Sequence, residues 1–160
     1  MAKERLSLRV NGAVREVEAD PATPLIYILR GPCGLTGVKL GCGLEQCGSC
    51  AVLIDGEPTL CCNRPVGEVA GKEIVTVEGL ARNGALSPVQ TAFVEEGAAQ
   101  CGYCTPGIVI AATALLRKNK SPSEADIIAA LHPHLCRCGS HPRVLKAIRR
   151  VVQEGRADAV

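Results

Sequence analysis

The stretch LGCGLEQCGSC, residues 40–50, decides the fold of the first half of this 160-residue chain. Four residues separate Cys42 from Cys47, two separate Cys47 from Cys50, and a fourth cysteine, Cys62, follows on a later segment. This is the plant-type spacing of the thiolates that bind a [2Fe–2S] cluster. Glycines beside the cysteines let the loop wrap closely around an inorganic core. Structural zinc prefers two closely spaced pairs, so it fits this spacing poorly.

Four more cysteines form a second group with a different spacing. Cys101 and Cys104 lie in QCGYC, and Cys136 and Cys138 lie in LCRCG. Two short-spaced pairs of this kind can hold zinc or a second iron–sulfur cluster, so the spacing alone leaves both open. A disulfide framework fits less well, because the first residues, MAKERLSLRV, lack the apolar region and cleavage site of a secretion signal. We therefore expect metal-binding thiols in a reducing, cytoplasmic setting.

Composition excludes several other classes of protein. The net charge of +2 is too close to neutrality to indicate a nucleic-acid partner. The longest apolar run, residues 108–116, is far shorter than the ~20 residues that cross a bilayer, so no membrane span is predicted. Aromatic residues make up only 2% of the chain, so its cores must be built from aliphatic side chains. No phosphate-binding loop, Ser-His-Asp set or carboxylate pair is present, and no catalytic residue is predicted.

The residues before position 80 predict an α+β unit. From Leu6 the chain alternates apolar and polar residues on both sides of Asn11-Gly12, which is a strong hairpin signal. Asp55-Gly56 marks a second hairpin. The expected strands are 6–10, 13–18, 51–54, 59–62 and 73–77, with a helix over 24–30 that takes Thr23 as its N-cap.

Beyond residue 80 the apolar period becomes helical. Four helices are expected, over 88–96, 106–118, 124–131 and 141–154. Ser87 with Gln90 forms a capping box, Ser123 with Asp126 starts the third helix, and Gly155 stops the last one. The second cysteine group then falls in loops that lead into helix N-termini, where the positive end of the helix dipole favours thiolates. A four-helix bundle is the predicted architecture.

The motifs together resemble one family. GVKLGCGLEQCGSC followed by VLIDG and a later cysteine, then QCGYCTPG and LCRCG, is similar to the small iron–sulfur subunit of the molybdenum hydroxylases, the xanthine oxidase family. The resemblance covers nearly the whole chain and removes most of the zinc alternative for the second group. It implies a β-grasp ferredoxin-like [2Fe–2S] domain over residues 1–80 and a four-helix-bundle [2Fe–2S] domain over residues 81–160.

The resemblance also implies ligands, cofactors and partners. Gln100 and Cys138 are expected to contact a molybdopterin, of the cytosine dinucleotide form, bound in a large catalytic subunit. Electrons are expected to pass from molybdenum through both clusters to an external acceptor, a cytochrome or a FAD subunit. The metal ligands implied are Cys42, Cys47, Cys50 and Cys62 for the first cluster and Cys101, Cys104, Cys136 and Cys138 for the second.

Details of the sequence refine this picture. CRCGSHPR resembles the isoquinoline and nicotinate hydroxylase branch, which favours an N-heteroaromatic or aldehyde substrate and a non-flavin acceptor. Neighbouring cysteines on a strand point in opposite directions, and the family spacing selects Cys62 over Cys61 as the ligand. Cys61 and Cys33 are then expected to be small buried side chains. The alternatives that stay open are a free-standing two-cluster ferredoxin-type carrier and a zinc-stabilised interaction module.

The three histidines are not expected to be metal ligands. His132, His134 and His141 lie near the second cysteine group, where a Rieske cluster would use two histidines on one iron. None of them forms a C-x-H pair with a cysteine, and eight thiolates already suffice for two clusters. We expect them to be loop and helix-start residues.

Overall fold

The chain opens with the β-hairpin that its sequence predicts. In the computed structural model, which describes residues 3–160, β1 (Glu4–Val10) pairs antiparallel with β2 (Ala13–Ala19). Asn11 and Gly12 form the turn with φ angles of 53° and 77°, the left-handed conformation that a two-residue hairpin of this type requires. The first two residues of the N-terminal segment, which was expected to lack an export signal, lie outside the described part of the chain.

Three further strands complete a five-stranded mixed sheet. They are β3 (Ala51–Ile54), β4 (Glu57–Leu60) and β5 (Glu73–Val75), and the strand order is β2-β1-β5-β3-β4. β1 and β5 are parallel, while β3 is antiparallel to both of its neighbours. The helix α1 (Leu25–Arg30) packs its apolar side chains against this sheet. The predicted α+β fold class is confirmed.

Three predictions of detail were wrong. β5 ends at Val75 instead of residue 77, because the Thr76 N–H donates to the side-chain oxygen of Asn11 at 2.9 Å and leaves the strand ladder. β4 lies over Glu57–Leu60, not 59–62, so Cys61 and Cys62 follow the strand. Pro24, not Thr23, is the N-cap of α1, because the Thr23 carbonyl accepts from the Val66 N–H at 2.8 Å.

The second half of the chain contains the four longer helices that were expected. They are α2 (Pro88–Glu95), α3 (Thr105–Lys118), α4 (Glu124–Leu131) and α5 (His141–Gln153). The predicted capping box at Ser87 is formed, Ser123 and Asp126 form a second one at the start of α4, and Gly155 follows α5 with φ 65°. None of the helices within residues 3–160 is long and apolar enough to span a membrane.

Two hydrophobic cores meet on β3. Val52 and Ile54 face the core between the sheet and α1, while Ala51 and Leu53 face the core formed by the four helices. This is the alternation of side chains expected of a strand covered on both faces. Because β3 serves both cores, the division of the chain at residue 80 stays a prediction. The shared strand fixes the two cysteine-bearing regions against each other.

Candidate metal centres

The loop at residues 40–50 directs backbone N–H groups at sulfur. The N–H groups of Leu44 and Gln46 both lie 3.3 Å from the Sγ atom of Cys42, and the N–H of Cys42 lies 3.3 Å from the Sγ atom of Cys47. The N–H groups of Gln46 and Leu44 lower the pKa of Cys42 to about 7 because they stabilise the thiolate. Such donors stabilise the negative charge of a bound iron–sulfur cluster in the same way.

The four cysteines of the first group lie in two pairs. The side chain of Cys42 contacts that of Cys47, and the side chain of Cys50 contacts that of Cys62 as well as that of Cys61, which is not a predicted ligand. A [2Fe–2S] cluster takes two thiolates on each iron. The arrangement of these side chains therefore fits the donor set that such a cluster needs.

Cys61 differs from its neighbour Cys62 in chemical environment. Its side chain is fully buried, and its thiol donates to the carbonyl oxygen of Cys50 at 3.0 Å. The contact with Cys50 and burial both raise the pKa of Cys61, which keeps it a neutral thiol. Burial likewise raises the pKa of Cys33. Burial also raises the pKa of Cys62, to about 11, so the pKa values do not separate the two cysteines. The hydrogen bond from the Cys61 thiol to a backbone carbonyl is the difference that agrees with Cys62 as the fourth ligand, and the ligand assignment stays a prediction.

The second group also forms two pairs, at the start of two helices. Cys101 contacts Cys138, and Cys104 contacts Cys136. Cys104 is the residue before α3, and the other pair member, Cys136, lies in the loop that leads into α5. Burial raises the pKa of Cys104 to about 11, so its position before α3 does not by itself favour the thiolate.

Ser140 is a functional candidate that the sequence analysis missed. Its hydroxyl oxygen lies 3.0 Å from the Sγ atom of Cys136, and its side chain is buried. Burial raises the pKa of Cys136, but hydrogen bonds from the hydroxyl and N–H of Ser140, together with those of the Cys138 N–H and the Cys104 thiol, lower it to about 7. A serine two residues after the last cysteine, at a helix start, was the available signal.

The described part of the chain has no side-chain group that suits a single metal ion. Within residues 3–160, no three His, Cys, Asp or Glu side chains come together closely enough to hold one metal ion. A two-iron cluster does not need such a site, because its ligands are distributed two to each iron. Both groups of cysteines meet that requirement through their paired thiols.

The two loops touch each other directly. The Leu135 N–H donates to the carbonyl oxygen of Cys47 at 3.0 Å, and the Tyr103 hydroxyl donates to the carbonyl oxygen of Leu40 at 2.5 Å. Leu135 precedes Cys136, so this hydrogen bond joins a predicted ligand segment of one group to a predicted ligand of the other. No sequence signal pointed to either contact, since the partners lie far apart in the chain.

Gln100 and Cys138 share one surface. Gln100 is exposed in the loop between α2 and α3, next to the exposed Cys101, which contacts Cys138. The three histidines are separate: His132 follows α4, His141 begins α5, and His134 is buried against the first loop. Gln100 is thus adjacent in the chain to a cysteine that contacts Cys138, and the histidines lie in loop and helix-start positions.

Comparison with known proteins places this fold and these paired thiols in a defined class. Residues 8–78 match a family model described as a 2Fe-2S iron-sulfur cluster binding domain, and residues 76–149 match a [2Fe-2S] binding domain. The chain is 48% identical to one of the nicotinate dehydrogenase subunits of Pseudomonas putida, over 94% of this chain and 96% of that one. It is 40% identical to the nicotinate dehydrogenase small FeS subunit of Eubacterium barkeri, over 96% and 98%.

A solved structure agrees with these relatives. The crystal structure of quinoline 2-oxidoreductase from Pseudomonas putida 86 contains a chain that superimposes with a TM-score of 0.92 at 35% identity, covering 100% of both chains. The chain is therefore a two-domain [2Fe–2S] protein. It belongs to the family of small iron–sulfur subunits of the molybdenum hydroxylases, the xanthine oxidase family.

Proposed function

We propose that this chain is the electron-transfer subunit of a molybdopterin-dependent hydroxylase. The observation that carries the proposal is the presence of two groups of paired thiols whose loops are joined by the hydrogen bond from Leu135 to Cys47. When bound, the two clusters relay electrons from molybdenum to an external acceptor. The chain supplies their ligands: Cys42, Cys47, Cys50 and Cys62 for the first cluster, and Cys101, Cys104, Cys136 and Cys138 for the second.

The surface around Gln100 is the proposed contact with the large catalytic subunit. The amide of Gln100 offers both donors and an acceptor to the edge of a molybdopterin, for which we propose the cytosine dinucleotide form. Cys138 lies at the same surface, so a pterin bound there would be beside a cluster ligand. An apolar groove of about 450 Å³ continues from this loop past Phe93 to the exposed Val94, and it suits a subunit contact.

The Leu135–Cys47 hydrogen bond is the proposed connection between the clusters. It joins the segment before Cys136 to a ligand of the first cluster without an intervening side chain. The opposite end of the path is the tip of the 40–50 loop, where Leu44 is 65% exposed. We propose that this tip faces the electron acceptor, a cytochrome in preference to a FAD subunit.

The proposed substrate of the complex is an N-heteroaromatic compound in preference to an aldehyde. Both relatives named above are subunits of nicotinate dehydrogenases, and the matching structure is of a quinoline oxidoreductase. Selection of the substrate belongs to the large subunit, since no catalytic residue is assigned to this chain. A cytoplasmic location is proposed because a reducing compartment keeps the eight thiols available for clusters.

The test is purification of the native complex followed by metal analysis. We expect about four irons per chain, two for each [2Fe–2S] cluster, together with molybdenum and a large partner chain. A colourless protein that contains zinc would contradict the cluster assignment. A red-brown monomer without molybdenum would instead support the free-standing carrier.

A variant of Gln100 tests the proposed pterin contact separately. Gln100→Ala removes no metal ligand, so iron content should be unchanged. A pterin group that loses its hydrogen-bond partner costs about 1–3 kcal/mol, which should lower molybdopterin retention or slow reduction of the second cluster by substrate in rapid mixing. Gln153→Ala, an exposed glutamine at the far end of α5, is the matched control. Equal pterin content and equal rates in both variants would remove Gln100 from the site.

A further inference from the structure

Gly48, in the first cluster-binding loop, is enclosed by residues from the second half of the chain. It has φ +73°, and a Cβ atom there would lie 2.3 Å from the Nδ1 atom of His134 and 2.7 Å from the carbonyl oxygen of Pro133. Any side chain at position 48 would therefore overlap the imidazole ring. The ring packs directly on the backbone between the predicted ligands Cys47 and Cys50.

Gly48 is also close to α3. A Cβ atom at Gly107 would lie 2.1 Å from the carbonyl oxygen of Gly48, so the helix also packs on bare backbone. Gly107 comes three residues after Cys104, and His134 comes two residues before Cys136. Both neighbours of Gly48 therefore belong to segments that hold the second group of thiols.

The His134 side chain is enclosed by its neighbours. It is 5% exposed, and it lies between the first cluster-binding loop and the segment that leads to Cys136. Its Nδ1 atom lies against the Gly48 backbone without a well-formed hydrogen bond. A buried nitrogen in this situation costs stability. What holds the ring in place is therefore its packing between the two loops and not a hydrogen bond from Nδ1.

We propose that His134 is a positioning residue that sets the spacing of the two cluster-binding loops and with it the rate of electron transfer between the clusters. The inference rests on the proposed function, because it requires both clusters. The ring separates the Gly48 backbone from the loop that carries Cys136, while the Leu135 hydrogen bond to Cys47 holds the same two segments together. Without the ring, only the single Leu135–Cys47 hydrogen bond is left to hold the two segments at their native separation, so we expect them to move apart.

The experiment compares His134→Ala with His132→Ala in the complete complex. His132 is exposed and two residues away, so it controls for loss of an imidazole in the same segment. With both clusters reduced, electron paramagnetic resonance reports the magnetic interaction between them, which depends steeply on their separation. We expect His134→Ala to lose the resolved splitting and to slow reduction of the first cluster by the second, while His132→Ala retains both.

Two further variants keep the inference open to refutation. His134→Phe replaces the imidazole with another planar ring and should retain the splitting, because the role lies in shape. If His134→Ala does not hold iron, His134→Asn, with a smaller side chain, should give a partial loss. Full iron content with unchanged splitting and transfer rate in the Ala or Asn variant would overturn the inference. Absence of two cluster signals in the unaltered complex would instead refute the proposed function.

Discussion

Replacing Ser140 with alanine should lower the reduction potential of the second cluster. The Ser140 hydroxyl lies 3.0 Å from the Sγ atom of Cys136. A donor at this position stabilises the reduced cluster, which carries one more negative charge, more than the oxidised one. The substitution should not disturb α5, because the Ser140 side chain makes no hydrogen bond to the first turn of that helix and no cap is lost.

The expected change in reduction potential can be worked out from the hydrogen bond between Ser140 and Cys136. A hydrogen bond to a charged group contributes about 1.5–3 kcal/mol, and only the part that grows on reduction, ~1 kcal/mol, changes the potential. For a one-electron couple this corresponds to about 40 mV towards more negative values. Ser140 is 2% exposed, so water does not readily replace the lost hydroxyl.

Ser49 provides a matched comparison in the first group. Its hydroxyl oxygen lies 3.6 Å from the Sγ atom of Cys47, and its side chain is also buried. A contact of that length is weak, so Ser49→Ala should shift the potential of the first cluster by only about 10–20 mV. A redox titration followed by electron paramagnetic resonance measures both clusters in one sample.

Each substitution should shift the reduction potential of one cluster only. Ser140→Ala should change only the second cluster and Ser49→Ala only the first, with the larger shift in the Ser140 variant. Potentials within error of the unaltered protein in both variants would refute the claim that these hydroxyls act on the clusters. A shift of the first cluster in Ser140→Ala would refute the assignment of Cys136 to the second.

Two other changes give distinct outcomes. Cys61→Ala should retain about four irons, because the Cys61 thiol is neutral and donates to a backbone carbonyl. Cys62→Ala should instead lose the first cluster. The reverse result in iron analysis would exchange the two assignments. Glu96→Gln should reduce stability at pH 7, because hydrogen bonds from Lys146 and Arg150, at 2.8 and 2.9 Å, lower the pKa of the Glu96 carboxyl. This stabilisation is present above the ordinary pKa of 4.5 and is lost as the pH falls through the lower folded value. The thermal midpoints of the variant and the parent should therefore converge in acid. Midpoints that stay apart in acid would argue against the pairing.

Local patterns in the sequence determined most of the fold and the identity of the candidate ligands. The hairpin at Asn11 and Gly12 and the capping boxes at Ser87 and Ser123 depend on residues that are neighbours in the chain, and all three are present in the structure. The spacing of the cysteines pointed to iron–sulfur loops for the same reason, since consecutive ligands must follow the short path around one cluster.

Only the tertiary structure decided where elements end and which segments meet. β5 stops at Val75 because Asn11, 65 residues away in the chain, bonds to Thr76, and no pattern near Thr76 indicates this. The pairing of Cys101 with Cys138 and the packing of His134 on Gly48 likewise join distant segments. Such contacts depend on how two cores assemble on the shared strand β3, where the burial of both faces, and not local propensity, brings the loops together.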